Sequence, residues 1–346
     1  MFSSHRLPDF FPVGKLPLGF LETLLKKYAT PASGDHRVKV GAGLGKDAAV
    51  IEFGDRLLIA KTDPITFVAE DIGYYALHIN ANDVACMGGD PKWFLATLLL
   101  PESTTTPDLV EEIFKQLSQA CKKIGATLCG GHTEITPGLN HPVVVGCLLG
   151  ETRADRFFSP ERIEVGDAII LTKGLAVEAT SIIGREHAQA LAKAFDMKFA
   201  KNCRRFLHDP GISVLPEARL AWNEEGIHAL HDPTEGGLAN AIHELLAERD
   251  LGIEIELASI PLFPETKLLC EHFHLDILGL IASGALLIAG TEQACTKVLS
   301  RLHRQRISAN IIGRILPAGE GKWLFDGKQR VELPFFRRDE ILKVLQ

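Results

Sequence analysis

The sequence predicts an α+β protein in two domains, on three observations. Its 346 residues exceed what one hydrophobic core usually supports. Segments with helical apolar spacing alternate with short β-type runs in both halves, which favours two mixed domains over a single barrel. A charged, turn-rich stretch, ETRADRFFSPERIEVGD over 151–167, interrupts the pattern. The expected division is a leader and helix over 1–35, a first domain over 36–155, a second over 156–330 and a C-terminal tail over 331–346.

Taken in order, Leu18 to Tyr28 reads as a short amphipathic helix stopped by Thr30-Pro31 and the Ser33-Gly34 turn. Ala48 to Phe53 and Arg56 to Ala60 form a hairpin about Gly54-Asp55. Ile72, Ala76, Ile79 and Val84 have helical spacing, and Gly88-Gly89 with Pro91 ends that helix. Trp93 to Leu100 is a buried strand. Thr106 and Pro107 open a helix with Leu109, Ile113, Leu117, Cys121 and Ile124 on its apolar face and Gly125 as its stop. Val143 to Leu149 closes the first half as a strand. The second half opens on the strand Ala168 to Thr172 and the Lys173-Gly174 turn, followed by a helical stretch. HDPTEGG then leads into a helix over about Glu235 to Glu248, and an apolar segment runs through Ser283 to Ile288.

Composition excludes several classes. Apolar residues at 46% and charged residues at 23% exclude a disordered chain. A formal charge of -7 gives no sequence-wide footprint for nucleic acid, and the brief basicity at Arg301, His303, Arg304 and Arg306 reads as the solvated end of a helix. The N-terminus is broken by Pro8, Asp9, Pro12 and Pro17, so it holds no signal segment. No later apolar run approaches the roughly 20 residues that span a bilayer. A cytoplasmic protein with no membrane or nucleic-acid partner is expected. Seven cysteines, scattered and without a CxxC pair, do not read as a disulfide framework or zinc site, and most of them read as small buried hydrophobes.

The chemistry lies in polar residues stranded in apolar, Gly-rich surroundings: Asp47 in GLGKDAAV, Asp63 in KTDP, Asn82-Asp83 in NANDVACMGGDP and Glu134 in GGHTE. Carboxylates beside permissive turns suit a hard cation with phosphate oxygens. Asp83 shares a helix face with Asn80. Each residue also has a bland reading. Asp63 before Pro64 is a common turn residue, and Asn82 or Asp83 can satisfy backbone groups. GAGLGK fails the phosphate-loop spacing because Asp47 follows Lys46, but Gly45, Lys46 and Asp47 still place a free backbone beside an ammonium and a carboxylate. Gly130-Gly131-His132-Thr133-Glu134 follows an apolar run and reads as a strand end, where His132 is either a catalytic group or a hydrogen-bonded turn residue. Asp232 and Thr234 precede a helix start, and N-cap and site roles there can coexist.

KDAAV, KTDP, NANDVACMGGDP, GGHTE, HDPTEGGLA and ASGALLIA, in this order, resemble the superfamily of aminoimidazole ribonucleotide synthetase (PurM), the hydrogenase maturation factor HypE, selenophosphate synthetase and thiamine monophosphate kinase. The last two segments are most similar to those of HypE. The resemblance covers roughly residues 36 to 325. It implies a first domain giving strands to a β-barrel at a homodimer interface, a second α+β domain beside it, and ATP with magnesium held between them. A small-molecule substrate and a maturation-type protein partner are implied with it. Carried over by position, Asp47, Asp63 and Asp83 become metal candidates. Gly45, Lys46, Asp47, Asn82, Gly130, Gly131 and Lys173 become nucleotide-binding candidates, and His132, Glu134 and Asp232 catalytic ones. The implied chemistry is activation of a substrate oxygen by phosphoryl transfer or ATP-driven dehydration. The alternatives are a kinase similar to thiamine monophosphate kinase and a nucleotide-binding protein without catalysis. The sequence departs from HypE in that its last cysteine is Cys295, and TKGLAVEATSII lacks the GxxGxH pattern.

Overall fold

The structure, a computed structural model, describes residues 15–29, 35–66, 68–154, 156–247 and 249–345. The expected leader over 1–14, the Thr30 to Gly34 stop and the division point at Asp155 lie outside the described residues. A first helix, α1 (Leu18–Leu24), runs on in a wider turn to Ala29.

Six strands form the first sheet: β1 (Val38–Val40), β2 (Ala49–Phe53), β3 (Arg56–Ile65), β4 (Asp90–Pro101), β5 (Thr127–Thr136) and β6 (Val143–Arg153), in the order β1-β2-β3-β6-β4-β5. The β2–β3 hairpin turns where Gly54-Asp55 predicts it. Two helices accompany this sheet, α2 (Ile72–Cys86) and α3 (Pro107–Ile124). The second is capped as expected, Thr106 accepting from Leu109 N and Gly125 turning left-handed, and it carries the crossover between the parallel pair β4 and β5.

Two local expectations change. Asp63 is not in a turn: β3 continues through Pro64, and Asp63 pairs with Gly146 of β6. GGHTE is not a strand end either, but the middle of edge strand β5, with Gly131 opposite Ala96. Gly131 has φ 143°, and a Cβ there would lie 1.9 Å from the Ala96 carbonyl oxygen, so only glycine lets the two backbones pair so closely.

Seven strands form the second sheet: β7 (Ala168–Thr172), β8 (Ile227–His231), β9 (Gly252–Glu256), β10 (Leu287–Gly290), β11 (Ala309–Leu316), β12 (Lys322–Phe325) and β13 (Arg330–Glu332), in the order β13-β12-β9-β11-β7-β10-β8. Its helices are α4 (Val177–Glu186), α5 (Ala188–Ala194), α6 (Met197–Arg205), α7 (Leu215–Ala221), α8 (Gly237–Leu245), α9 (Pro264–Phe273), α10 (Glu292–Arg304) and α11 (Leu342–Leu345). The α+β, two-domain architecture expected from the alternating pattern is the one observed. No helix among the described residues is long and apolar enough to cross a membrane.

The helix α2 joins the halves. All of its residues are buried, so the expected apolar stripe is only part of an enclosed surface, as befits a helix covered on every side. The inner face of the first sheet and α3 cover it on one side. On the other, Trp222 Nε1 donates to the Ala85 carbonyl at 2.9 Å, and Asn82 bridges to the second domain, donating to Ile212 O and accepting from Val214 N, both at 2.9 Å. One hydrophobic cluster accordingly runs from Val40 to Leu342 through both domains.

The C-terminal segment is packed, not trailing. Asp339 accepts from the backbone of Gly236 at 2.7 Å, Ile341 at 2.9 Å and Ile281 at 3.2 Å. That carboxylate holds the amide of Gly236, the residue that opens α8. Neither Asp232 nor Thr234 caps the helix with its side chain, and the cap residue is Gly236 in the left-handed region.

Candidate functional site

A knot of charge lies where the last turn of α2 meets the end of β8. In β3 the period-two alternation puts Lys61 and Asp63 on the same face as the buried Leu57 and Ile59, looking onto α2. The last turn of α2 presents Asp83 and Cys86, three residues apart. His231 and Asp232 come from the end of β8, and Asp47 from the loop before β2. That loop is pressed against α8: Gly45 has φ 68°, and a Cβ there would lie 2.1 Å from the Glu244 carbonyl oxygen. Any side chain at position 45 would lift Asp47 away.

The contacts are close. Lys61 Nζ lies 3.3 Å from Asp83 and 3.5 Å from Asp63. Ligand atoms of Asp47, Cys86 and Asp232 all lie within 4.8 Å of one another, and the Cys86 thiol donates to Asp232 Oδ1 at 3.6 Å. His231 Nδ1 is 2.8 Å from Asp47, while its Nε2 is 3.6 Å from Glu244. Glu244 also pairs with Lys15 at 3.1 Å. Asp232 Oδ2 and His231 Nε2 are buried without a hydrogen-bond partner.

Burial and crowding set the protonation pattern. Burial pushes the Asp83 carboxyl well up, and Asp232, Asp47 and Asp63 add to this against the pull of Lys61. Burial and Asp47 raise Asp232 to about 6. Burial would lower the Lys61 ammonium, but Asp83, Asp63, Asp47 and Asp232 outweigh it and hold the group above its usual range. His231 shows the same contest: burial disfavours the imidazolium, Asp47 and Glu244 favour it more, and the net shift is upward. Glu244 falls to about 2 despite burial, because His231 and Lys15 hold its charged form. Cys86 is pushed well up by burial and then by the aspartates, so with no cation bound it is a thiol. What remains is a set of hard carboxylate oxygens with more negative charge than Lys61 and His231 neutralise. One carboxylate oxygen, Asp232 Oδ2, is buried and unpartnered. Such a set fits magnesium far better than zinc.

The other residues singled out in the sequence lie elsewhere in one chain. Asn82 is fully buried and both ends of its amide hold the domain junction. Lys173 is turned inward, 2.8 Å from Glu217, and donates to the carbonyls of Ser213, Gly284 and Gly211 at 2.6, 3.0 and 3.2 Å. Lys46 pairs with Glu161 at 3.2 Å. His132 and Glu134 face each other at 3.1 Å on exposed β5, in register with Thr97 and Leu99 of β4. Those two residues belong to the outer face of the first sheet, so His132 and Glu134 are separated by the sheet from the acidic junction, and Gly130 and Gly131 lie in the same edge strand. Lys61, His231 and Glu244 complete the junction. His231 stands directly beside Asp232 in HDPT, and Lys61, two residues before Asp63 in KTDP, shares its i, i+2 face. Glu244 reaches the site only through the placement of α8.

The fold is that of an AIR synthase related enzyme. The chain belongs to that family: the family's N-terminal domain matches residues 45–152 and its C-terminal domain residues 164–324. Among its relatives, selenide, water dikinase of Methanocaldococcus jannaschii is 29% identical over 329 residues, covering 89% of this chain and 90% of the relative. Carbamoyl dehydratase HypE of Escherichia coli strain K12 is 25% identical over 277 residues, covering 78% and 79%. Among solved structures, E. coli HypE superposes with a TM-score of 0.71 at 22% identity, covering 82% of this chain and 86% of that one. The complex titled AaThiL with AMPPCP and TMP gives 0.70 at 21% identity, covering 90% and 94%.

Proposed function

We propose that this protein is an ATP- and magnesium-dependent enzyme that activates an oxygen of a small substrate, by phosphoryl transfer or ATP-driven dehydration. The observation that carries the reading is the convergence of Asp47, Asp63, Asp83 and Asp232, from both domains, around Lys61. The relatives support it, a dikinase and a dehydratase that share most of the chain's length. Asp47, Asp83 and Asp232, with Asp63 at the rim, would hold magnesium. When bound, the ion supplies compensation for phosphate charge. Reactions of this type depend on positioning and charge more than on covalent chemistry by side chains. In this site Lys61 presents an ammonium to incoming phosphate, the imidazolium of His231 fixes Asp47, and Asn82 keeps the two domains in register.

A non-hydrolysable ATP analogue titrated calorimetrically into the protein is expected to bind only with magnesium present. Asp83→Asn should weaken that binding at least tenfold with an unchanged circular dichroism spectrum. Absence of binding in either condition would sink the proposal. With ATP and an acceptor, a stable phosphorylated product marks the kinase route, and ADP with free phosphate and a dehydrated product marks the other.

The proposed enzyme is a homodimer through the outer face of the first sheet. Leu58, Leu95, Leu99, Val145 and Leu149 line that face half-exposed, and Trp93 beside them is 41% exposed. A contiguous apolar surface of this kind marks an association site, and any role for His132 and Glu134 depends on it. In light scattering, Leu95→Lys is expected to convert a dimer to a monomer. A monomeric parent protein would refute the dimer.

A further inference from the structure

We infer that a basic recess at the opposite end of α2 is a separate binding site for the phosphate group of a small ligand. The recess holds about 400 Å³. Ser181 and Leu207 are buried in its floor. Arg185 reaches into it from α4, and Lys201, Arg204 and Arg205 from α6, with His208 beside them. Asp71 is the one acid lining the recess among the described residues.

Arg185 carries the argument. Its side chain is only 9% exposed, yet its Nη2 is buried with no hydrogen-bond partner. A buried donor left unmade costs about 1–3 kcal/mol, a cost removed when the guanidinium turns toward a ligand oxygen in the recess. The acids that pair with these cations do not line the recess. Glu70 contacts Arg204 and lies 3.8 Å from Arg185 Nε, Glu186 lies 2.8 Å from the same atom, and Asp209 lies 2.5 Å from Arg205. These acids are 47%, 49% and 70% exposed, so their ion pairs are weak and readily exchanged. Lys201 has no ion-pair partner among the described residues. Planar guanidinium groups and an ammonium around a small recess match a phosphate dianion. The volume admits one small molecule, not a polymer.

This site is distinct from the acidic junction. Asp71 and Asp83 are twelve residues apart along α2, about 18 Å at a helical rise of about 1.5 Å per residue. The inference therefore stands independently of the nucleotide reading.

The test is calorimetric titration of the full chain with inorganic phosphate at constant ionic strength, with chloride as the control. Saturable binding is expected for the parent protein, at least tenfold weaker for Arg185→Gln. The surface pair K201Q/R205Q gives the same readout should Arg185→Gln fail to fold. Asp232→Asn is expected to bind phosphate as the parent does. No saturable binding, or binding unchanged in the basic variants, overturns the inference. So does loss confined to Asp232→Asn, which would put the phosphate in the acidic junction.

Discussion

Lys61→Met is expected to destabilise the protein by about 3–5 kcal/mol at neutral pH, the usual cost of removing one partner from a buried ionic cluster. The ammonium lies 3.3 and 3.5 Å from two carboxylates and is also within the field of Asp47 and Asp232. Methionine keeps most of the side-chain volume, so the loss reports charge and not a cavity. Two rescues follow from the same electrostatics. Millimolar magnesium should restore stability, because a divalent ion answers the charge that Lys61 leaves behind and binding to the native state alone stabilises it. Acidification toward pH 5.5 should also help, because protonation of Asp83 and Asp232, whose folded-state values are raised, relieves the repulsion. Urea denaturation at pH 7.5 with and without magnesium, repeated at pH 5.5, measures all three effects. A variant as stable as the parent, or one indifferent to magnesium, would show that the carboxylates do not share a common charge problem.

Lys61 also shows how far the sequence alone reaches. The strand period places it on the face of Asp63, and the helix period joins Asp83 to Cys86, so the local halves of the junction are readable. The convergence of β3, α2, the Asp47 loop and β8 is not, because it is set by packing among segments as much as 184 residues apart, as in the His231–Asp47 contact. Turn residues misled where tertiary pairing overrode them: Asp63-Pro64 and Gly130-Gly131 look like breaks and are strand interior. The α8 cap is another case. Asp232 and Thr234 have the right chemistry and spacing, but Asp339, over 100 residues later, takes the amide, leaving Asp232 to face Cys86. Gly45 was legible as a permissive position, although its reason, contact with the Glu244 carbonyl, was not. Lys173 has the residue type of a phosphate contact, yet Glu217 and three carbonyls surround its ammonium, which only the folded second domain reveals.

Asp232→Asn is expected to act in opposite directions on stability and on the proposed activity. Burial and Asp47 raise Asp232 to about 6 from an unfolded value near 3.9. Because the folded value lies above the unfolded one, the native state binds the extra proton between them. Stability from this group is therefore greatest below about pH 4 and falls as pH rises through about 6. By about pH 7.5 the ionised carboxylate weakens the fold by on the order of 1–3 kcal/mol. Asparagine removes that penalty while keeping the side chain's shape and an acceptor for the Cys86 thiol. The apo variant should thus melt higher than the parent at pH 7.5, and the two should converge as the pH approaches 4. Magnesium-dependent binding of the ATP analogue should drop at least tenfold. A charge kept at a cost to the fold is expected where function requires it. A variant that is less stable than its parent at pH 7.5 would assign Asp232 to holding the fold together, and would remove it from the proposed cation set.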